Sequence, residues 1–77
     1  MRIHIRLHGA LRDKLPPENK GQAVLEVSGD VTATAVLDQL TLRGYLQVAI
    51  NQTITENLDT PLQDGDTLEV FRPAAGG

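Results

Sequence analysis

Two alternating segments near the two ends of the chain constrain the fold most, because only one convincing helix separates them. Arg2–Leu7 alternates apolar and polar side chains, which predicts a strand with one buried and one solvated face. Thr67–Phe71 alternates in the same way after the turn sequence Asp64-Gly65-Asp66. A crossover that contains a helix allows two such strands to pair in parallel. We therefore expect these two strands to lie side by side at the centre of one sheet.

The helix is predicted from a cap and a periodic apolar stripe. Thr32 is a plausible N-cap, since its hydroxyl oxygen accepts from an unpaired backbone N–H. The stripe that follows has the spacing i, i+3, i+4 and i+7 and consists of Ala33, Val36, Leu37 and Leu40. We expect the helix to end with Arg43 in its last turn and Gly44 as its left-handed cap.

Shorter segments complete the order β-β-α-β-(β)-β. Ala23–Val27 is a second strand, forming an antiparallel hairpin with the first. Leu46–Ile50 is a third strand, and Thr53-Ile54 a short edge segment. Gly9–Lys14 is expected to form a short turn or a single helical turn, with Leu11 pointing inward.

One helix of this size covers one face of a mixed sheet, which predicts a two-layer α+β domain. This order of elements is that of the β-grasp, or ubiquitin-like, fold. We predict a single domain over residues 1–77, with residues 72–77 as an extended, flexible C-terminal Gly-Gly tail.

Composition narrows the possible functions. A chain of 77 residues with 40% hydrophobic residues is a small globular domain with a marginal core. It has no cysteine, which excludes disulfides, thiolate metal sites and a cysteine nucleophile. We find no apolar run long enough for a membrane span and no signal peptide, and we expect a cytoplasmic protein. The net charge of −3, with seven Lys and Arg scattered along the sequence, argues against nucleic acid and suggests a partner with a basic docking face.

The predicted tail carries almost no reactive or bulky side chains. Pro73 lacks a backbone donor, so strand pairing should fail there, and the residues after it carry no side chain larger than a methyl group. Such a thread could pass through a channel that admits little more than backbone. The terminal carboxylate of Gly77 is ionised at neutral pH and has no Cβ beside it. The alternative is an inert, frayed terminus.

Other candidate sites are weak. His4 and His8 lie four residues apart on a predicted strand, about 13 Å, which is too far to chelate one ion, so we expect two solvated histidines. Asp64 and Asp66 fit an ordinary turn better than a calcium loop. The chain has no serine beside a histidine and no phosphate-binding glycine loop. We predict no metal site and no catalytic machinery, so the terminus is more plausibly a substrate.

Four segments carry a resemblance to a known family: Gly9–Asp13, Val48–Gln52, Asp59–Asp66 and Arg72–Gly77. In this order, and ending on Gly-Gly, they resemble the ubiquitin-like sulfur-carrier family (MoaD/ThiS). The likeness is greatest to the small subunits of molybdopterin synthase (MoaD-like). The tail departs from that pattern, with Arg72 in place of a proline and Ala74 in place of a valine. Thiamine-pathway carriers (ThiS-like) rank second, because they typically lack an element like Leu11-Arg12-Asp13.

The resemblance implies a carrier that is not itself catalytic and binds no cofactor. An E1-like adenylating partner (MoeB/ThiF-type) would use ATP and magnesium to activate Gly77, and a sulfur donor would convert it to a thiocarboxylate. The sulfur would pass to an acceptor enzyme such as the large subunit of molybdopterin synthase. The chain would then act as the small subunit of a sulfurtransferase complex in molybdenum cofactor biosynthesis.

Partner contacts are expected around the tail. The residues assigned to partner binding are Arg72, Pro73, Ala74, Ala75 and Gly76, with Phe71 and Leu62 as docking anchors. Both anchors are equally compatible with the core. Two other functions stay open: a protein modifier that forms isopeptide bonds with lysines through Gly77, and a plain interaction module with an inert tail.

Overall fold

The computed structural model of the chain describes residues 1–73 and confirms the β-grasp fold. A five-stranded mixed sheet carries one α-helix, and two 3₁₀ turns follow the first strand. The strands are β1 (Arg2–Leu7), β2 (Gln22–Glu26), β3 (Gln47–Ile50), β4 (Thr53–Thr55) and β5 (Thr67–Phe71). The helix α1 is Ala33–Gln39, and the turns are η1 (Gly9–Lys14) and η2 (Pro17–Asn19). The tail predictions for residues 74–77 lie outside the described residues.

The sheet has the order β2-β1-β5-β3-β4, so β5 is its central strand. β1 and β5 pair in parallel, with Ile5 opposite Leu68, as predicted. β1 and β2 form the predicted antiparallel hairpin, and β3 pairs antiparallel with both β4 and β5. Because β1 and β5 run in the same direction, their C-terminal ends lie together at one end of the molecule.

The core lies between α1 and one face of the sheet. Alternation decides which side chains enter it, since Ile3, Ile5 and Leu7 of β1 are all buried while their neighbours are exposed. Leu11 of η1 is also buried, as predicted. The other buried members of the core are Ala33, Val36, Leu37, Leu42, Val48, Leu62, Leu68 and Val70. No helix within residues 1–73 is long and apolar enough to cross a membrane.

The start of α1 matches the prediction, and its end does not. Thr32 caps the helix, with its Oγ1 accepting from the Ala35 N–H at 3.2 Å. The helix ends at Gln39, and Thr41 is its left-handed capping residue, with φ of 59°. Gly44 also has a positive φ, of 94°, but it lies beyond the end of the helix. The Leu42 N–H then donates to the Leu37 carbonyl at 2.9 Å, which is the Schellman pattern. Leu42 is buried, and its entry into the core reverses the chain before Arg43 can extend the helix.

Side-chain hydrogen bonds hold the N-terminal end of β5 in place. Asn51, in the turn between β3 and β4, donates from Nδ2 to Asp66 Oδ1 at 2.9 Å and accepts from the Thr67 N–H at 3.0 Å. Asp66 also accepts from the Gln63 N–H, and Asp64 accepts from the Arg2 N–H at 2.7 Å. The Asp64-Gly65-Asp66 turn is therefore structural, as expected, and it joins three segments of the chain.

Candidate functional site

The candidate site is the place where the tail leaves the sheet, and we call residues Phe71–Pro73 the tail root. Phe71 is the last residue of β5 and pairs with Gln47 of β3. Strand pairing ends there, before Pro73, as the missing proline donor predicts. Since β5 is the central strand, the tail emerges between β1 and β3 rather than at a sheet edge. The sheet therefore fixes the direction in which the tail begins.

Phe71 lies on the outer face of the sheet, opposite α1. Its neighbours Leu68 and Val70 point into the core, so alternation turns Glu69 and Phe71 the other way. The Phe71 ring stacks on the His8 imidazole, with centroids 4.4 Å apart and planes 6° from parallel. The sequence left open whether Phe71 is a docking anchor or a core residue, and its position on the outer face excludes the core. The ring is half-buried and stands directly before the tail.

His8 is held in place by a carboxylate, so the expectation of two solvated histidines is wrong for this residue. Its Nε2 lies 2.9 Å from Glu69 Oε2, and its backbone N–H donates to the Val70 carbonyl at 3.1 Å. The Glu69 side chain is only 13% exposed, and Arg6 Nη1 lies 4.0 Å from the same oxygen. His4 is exposed, as expected.

Sequence reasoning missed His8 and Glu69 as neighbours of the tail root. Part of this arrangement could be predicted from the sequence, because alternation along Thr67–Phe71 puts Glu69 and Phe71 on one face of the strand. The parallel register of β1 and β5 then places His8 beside Phe71. That register is a tertiary property that no local pattern reports.

Leu62 is a core residue and lies away from the tail root. It is 4% exposed, and its backbone N–H donates to the Val31 carbonyl at 2.7 Å. Val31 precedes the N-terminal end of α1, whereas the tail root contacts the segment after the C-terminal end of α1. The prediction that Leu62 anchors a partner is corrected on this ground, and the core alternative holds. An apolar side chain that is already covered presents no surface for docking.

Arg72 ties the tail root to the segment that follows α1. Its Nη2 donates to the Arg43 carbonyl oxygen at 2.7 Å. Gly44 lies beside the same guanidinium, since a Cβ at this position would be 3.9 Å from Arg72 Nη1. The segment between α1 and β3 therefore forms one wall of the tail exit.

The basic residues, scattered in sequence, collect at the end of the molecule where the tail root lies. Three surface grooves border η1, and six of the seven Lys and Arg residues line them: Arg6, Arg12, Lys14, Lys20, Arg43 and Arg72. The remaining one, Arg2, pairs with Glu26 at 3.1 Å at the other end of β1. An acidic protein thus presents a basic end, and the expectation of a basic docking face on the partner does not suit this region.

One of these grooves includes the tail root itself, and we call it the tail-root groove. It has a volume of about 550 Å³ and is lined by Ala10, Leu11, Asp13, Lys14, Thr41, Arg43 and Arg72. The carboxylates of Asp64 and Asp66 lie at the opposite end of β5, and Asp59 contacts Thr34 near the start of α1. These three acidic residues therefore lie away from the tail root, whereas Asp13 lines the tail-root groove and Glu69 contacts His8.

Within residues 1–73 no group of three or more His, Asp or Glu side chains is arranged to bind a metal ion. The tail root combines the half-buried Phe71 ring, the His8–Glu69 pair and the Arg72 guanidinium. These groups lie where residues 71–73 leave the sheet, beside the tail-root groove.

Comparison with known proteins gives one family and several structures. The model of the ThiS family matches residues 5–77. A search of curated protein sequences finds no significant match. One similar structure is a complex of subunits 1 and 2 of the molybdopterin-converting factor from Helicobacter pylori, with 21% identity, full coverage of both chains and a TM-score of 0.68.

Two further structures come from Haloferax volcanii. SAMP1 is 22% identical with full coverage of both chains and a TM-score of 0.77. A second structure, of small archaeal modifier protein 1, is 20% identical over 95% of this chain and 98% of the other, with a TM-score of 0.74. At these identities the likeness shows a shared fold.

Proposed function

The chain belongs to the ThiS family of ubiquitin-like sulfur carriers and modifiers, and on that premise we propose that it carries sulfur on Gly77 for molybdopterin synthesis. The observation that carries the proposal is the family match, which extends through the Gly-Gly segment to residue 77. The tail root supports it, because the chain end leaves the central strand beside exposed and half-buried groups that a partner can contact.

The chemistry starts at the Gly77 carboxylate, a poor acyl donor. One of its oxygens attacks the α-phosphorus of ATP, pyrophosphate leaves, and an acyl-adenylate forms. Sulfide supplied by a donor then attacks the acyl carbon and AMP leaves, giving the thiocarboxylate. In this proposal ATP and Mg²⁺ bind to the adenylating partner, whose cationic groups stabilise the charge that develops on the phosphate.

The contribution of this chain is to deliver one carbonyl group to two different partners. Glycine at positions 76 and 77 lets the backbone approach a reacting centre closely, since no Cβ intervenes. Pro73 narrows the conformations available where the tail leaves the sheet. Arg72 and Phe71, held by Arg43 and His8, give the partner a fixed point from which the tail extends.

We propose two kinds of partner. The first is an E1-like adenylating enzyme of the MoeB/ThiF type, and the second is the large subunit of a molybdopterin synthase. Support for the second comes from the H. pylori structure, in which a protein of this fold is complexed with subunit 2 of a molybdopterin-converting factor. The family model carries the ThiS name, which supports a thiamine-pathway carrier about equally.

The first experiment is the intact mass of the protein purified from its own host under conditions that limit hydrolysis. We expect a fraction heavier by the exchange of one oxygen for sulfur, with the added mass mapping to Gly77. Deleting the gene then separates the two pathways, because loss of molybdenum-enzyme activity indicates molybdopterin synthesis and a thiamine requirement indicates the other. A tail that is never modified, with no phenotype on truncation, would support the inert module instead.

A second candidate function is protein modification through Gly77. The observation that favours it is the likeness to the two H. volcanii structures, one of which is of a small archaeal modifier protein. In that case a lysine ε-amine attacks the acyl carbon of the acyl-adenylate, or of a thioester formed from it, and an isopeptide bond forms as AMP or the thiol leaves. The test is mass spectrometry of host proteins, where peptides with a lysine joined to the end of this chain would establish conjugation.

A further inference from the structure

The tail-root groove has the chemistry of a docking site for acidic side chains. Its three cations come from three separate elements: Lys14 ends η1, Arg43 follows α1, and Arg72 follows β5. Among residues 1–73, none of these three cations lies within 4.0 Å of a carboxylate, and all the ion pairs found there involve Arg2, Arg6 or His8. Asp13 is the one acidic residue in the groove lining. The groove is therefore positively charged and open to an anionic group.

Arg72 is oriented for such a contact before any partner arrives. One of its guanidinium nitrogens is occupied by the Arg43 carbonyl at 2.7 Å, which limits the rotamers of the side chain. A guanidinium carries five N–H donors, so most of them stay available for a carboxylate. An arginine held in this way loses less conformational entropy when it binds, and its planar shape suits two-point contact with a carboxylate.

The lining favours a protein segment over a bare phosphate. Ala10 is exposed and contributes apolar surface, which suits the methylene groups of glutamate or aspartate side chains. The Asp13 carboxylate would repel a doubly charged phosphate more strongly than a single carboxylate. A volume of about 550 Å³ suits several side chains rather than one small ion.

We infer that the tail-root groove binds an acidic segment of the protein that receives the tail. This inference rests on the proposed function in one respect, namely that a partner takes up the tail. The position of the acidic turn adds orientation, because the partner's acidic surface attracts the groove cations and repels Asp64 and Asp66 at the other end of β5.

The test is an NMR titration of the full chain with a hexaglutamate peptide, at low ionic strength and at about 0.15 M salt, where the screening length is ~8 Å. We expect saturable shifts at the amides of residues 10–14, 41–44 and 72, weakened by salt. A hexaglutamine peptide of the same length is the uncharged control. No shifts, or shifts of equal size around Lys20 and Arg2, would overturn the inference. Tighter binding of a thymidine hexanucleotide would also overturn it, since it would make the groove a phosphate site.

Two matched double variants test whether hexaglutamate binds at the tail-root groove. In Lys14→Glu/Arg43→Glu the groove loses two cations, while the Arg43 carbonyl that holds Arg72 is kept. In Lys20→Glu/Arg2→Glu the net charge changes by the same amount outside this groove. We expect the first variant to lower hexaglutamate affinity about tenfold or more and the second about twofold or less. Equal losses in the two variants would show that only net charge matters.

Hexaglutamate binding and the intact mass together distinguish failure of this inference from failure of the proposed function. The intact mass of the host protein reports thiocarboxylate formation whether or not the groove binds peptides. A groove that fails to bind hexaglutamate in a protein that does carry sulfur overturns the inference alone. A groove that binds in a protein that never carries sulfur overturns the proposed function alone.

Discussion

The two ends of β5 are built differently. At its N-terminal end, Asn51 and Asp66 bond to each other and to backbone N–H groups, and these bonds join three chain segments. At its C-terminal end, pairing stops at Phe71, and the contacts around it are an aromatic stack and one hydrogen bond from Arg72. One end therefore contributes to stability, and the other presents side chains that a partner can contact.

This comparison shows which positions of a small domain can carry functional residues without loss of stability. A chain of 77 residues has a marginal core, so buried positions and hydrogen-bonded turns are needed for folding. The sequence of a tail that leaves from the central strand can change with little loss of folding stability, because β1 and β3 hold the start of the tail on either side. Substitutions at the two ends of β5 should accordingly separate stability from function.

The largest expected effect is loss of function at the tail. Replacing Gly77 by alanine, or deleting it, should reduce loading by the adenylating partner about 100-fold or more, because a Cβ displaces the reacting carboxylate. Stability should hardly change, since the buried apolar residues found within residues 1–73 end at Val70. Pyrophosphate exchange measures loading, and thermal melts measure stability. A fall in Tm of more than about 4 °C, equivalent to ~1 kcal/mol, would show that the tail is structural.

The largest expected effect on stability is at Leu62. Leu62→Ala should lower the free energy of unfolding by about 2–5 kcal/mol, because it leaves a cavity in the core. Ile54→Ala is the control, since Ile54 is 59% exposed, and it should cost less than about 1 kcal/mol. Urea denaturation measures both. A small effect at Leu62 would return this residue to the docking surface.

A smaller effect is expected at the hydrogen-bonded end of β5. Asn51→Ala removes the contacts to Asp66 and the Thr67 N–H and places alanine at a φ of 50°. We expect a loss of about 1–3 kcal/mol by denaturation. Asn57→Ala, which removes one contact to the Asp59 N–H in a loop, should have the weaker effect of the two. The opposite order would mean that this turn is not what fixes β5.

Of the three expected losses of stability, the smallest is at the tail root. His8→Ala removes the stack on Phe71 and the contact with Glu69, at a cost of about 0.5–1.5 kcal/mol. His4→Ala is the matched control on the same strand face, and it should cost about 0.5 kcal/mol or less because His4 is exposed. Indistinguishable unfolding curves for the two variants would show that the stack contributes nothing to the fold.

Much of the fold could be predicted, because its signals are local. Alternation in Arg2–Leu7 and Thr67–Phe71 gave both central strands with their observed bounds. The hydroxyl of Thr32 capped α1 as expected, and the break before Pro73 followed from its missing N–H. The candidate site was predicted less fully. Phe71 to Pro73 were identified as the exit of the tail, but His8, Glu69, Lys14 and Arg43 were not recognised as its surroundings.

Local sequence patterns predict the strands, the start of the helix and the small side chains of the tail, since each depends on neighbouring residues alone. Three-dimensional packing sets the remaining features: Leu42 enters the core and ends α1 early, Leu62 is covered, and His8 stacks on Phe71. It also decided that six scattered cations gather at one end of the molecule. The physical reason is that these outcomes depend on sheet register and on which elements meet in space. Both are set by burying a common core, to which residues far apart in the chain contribute together.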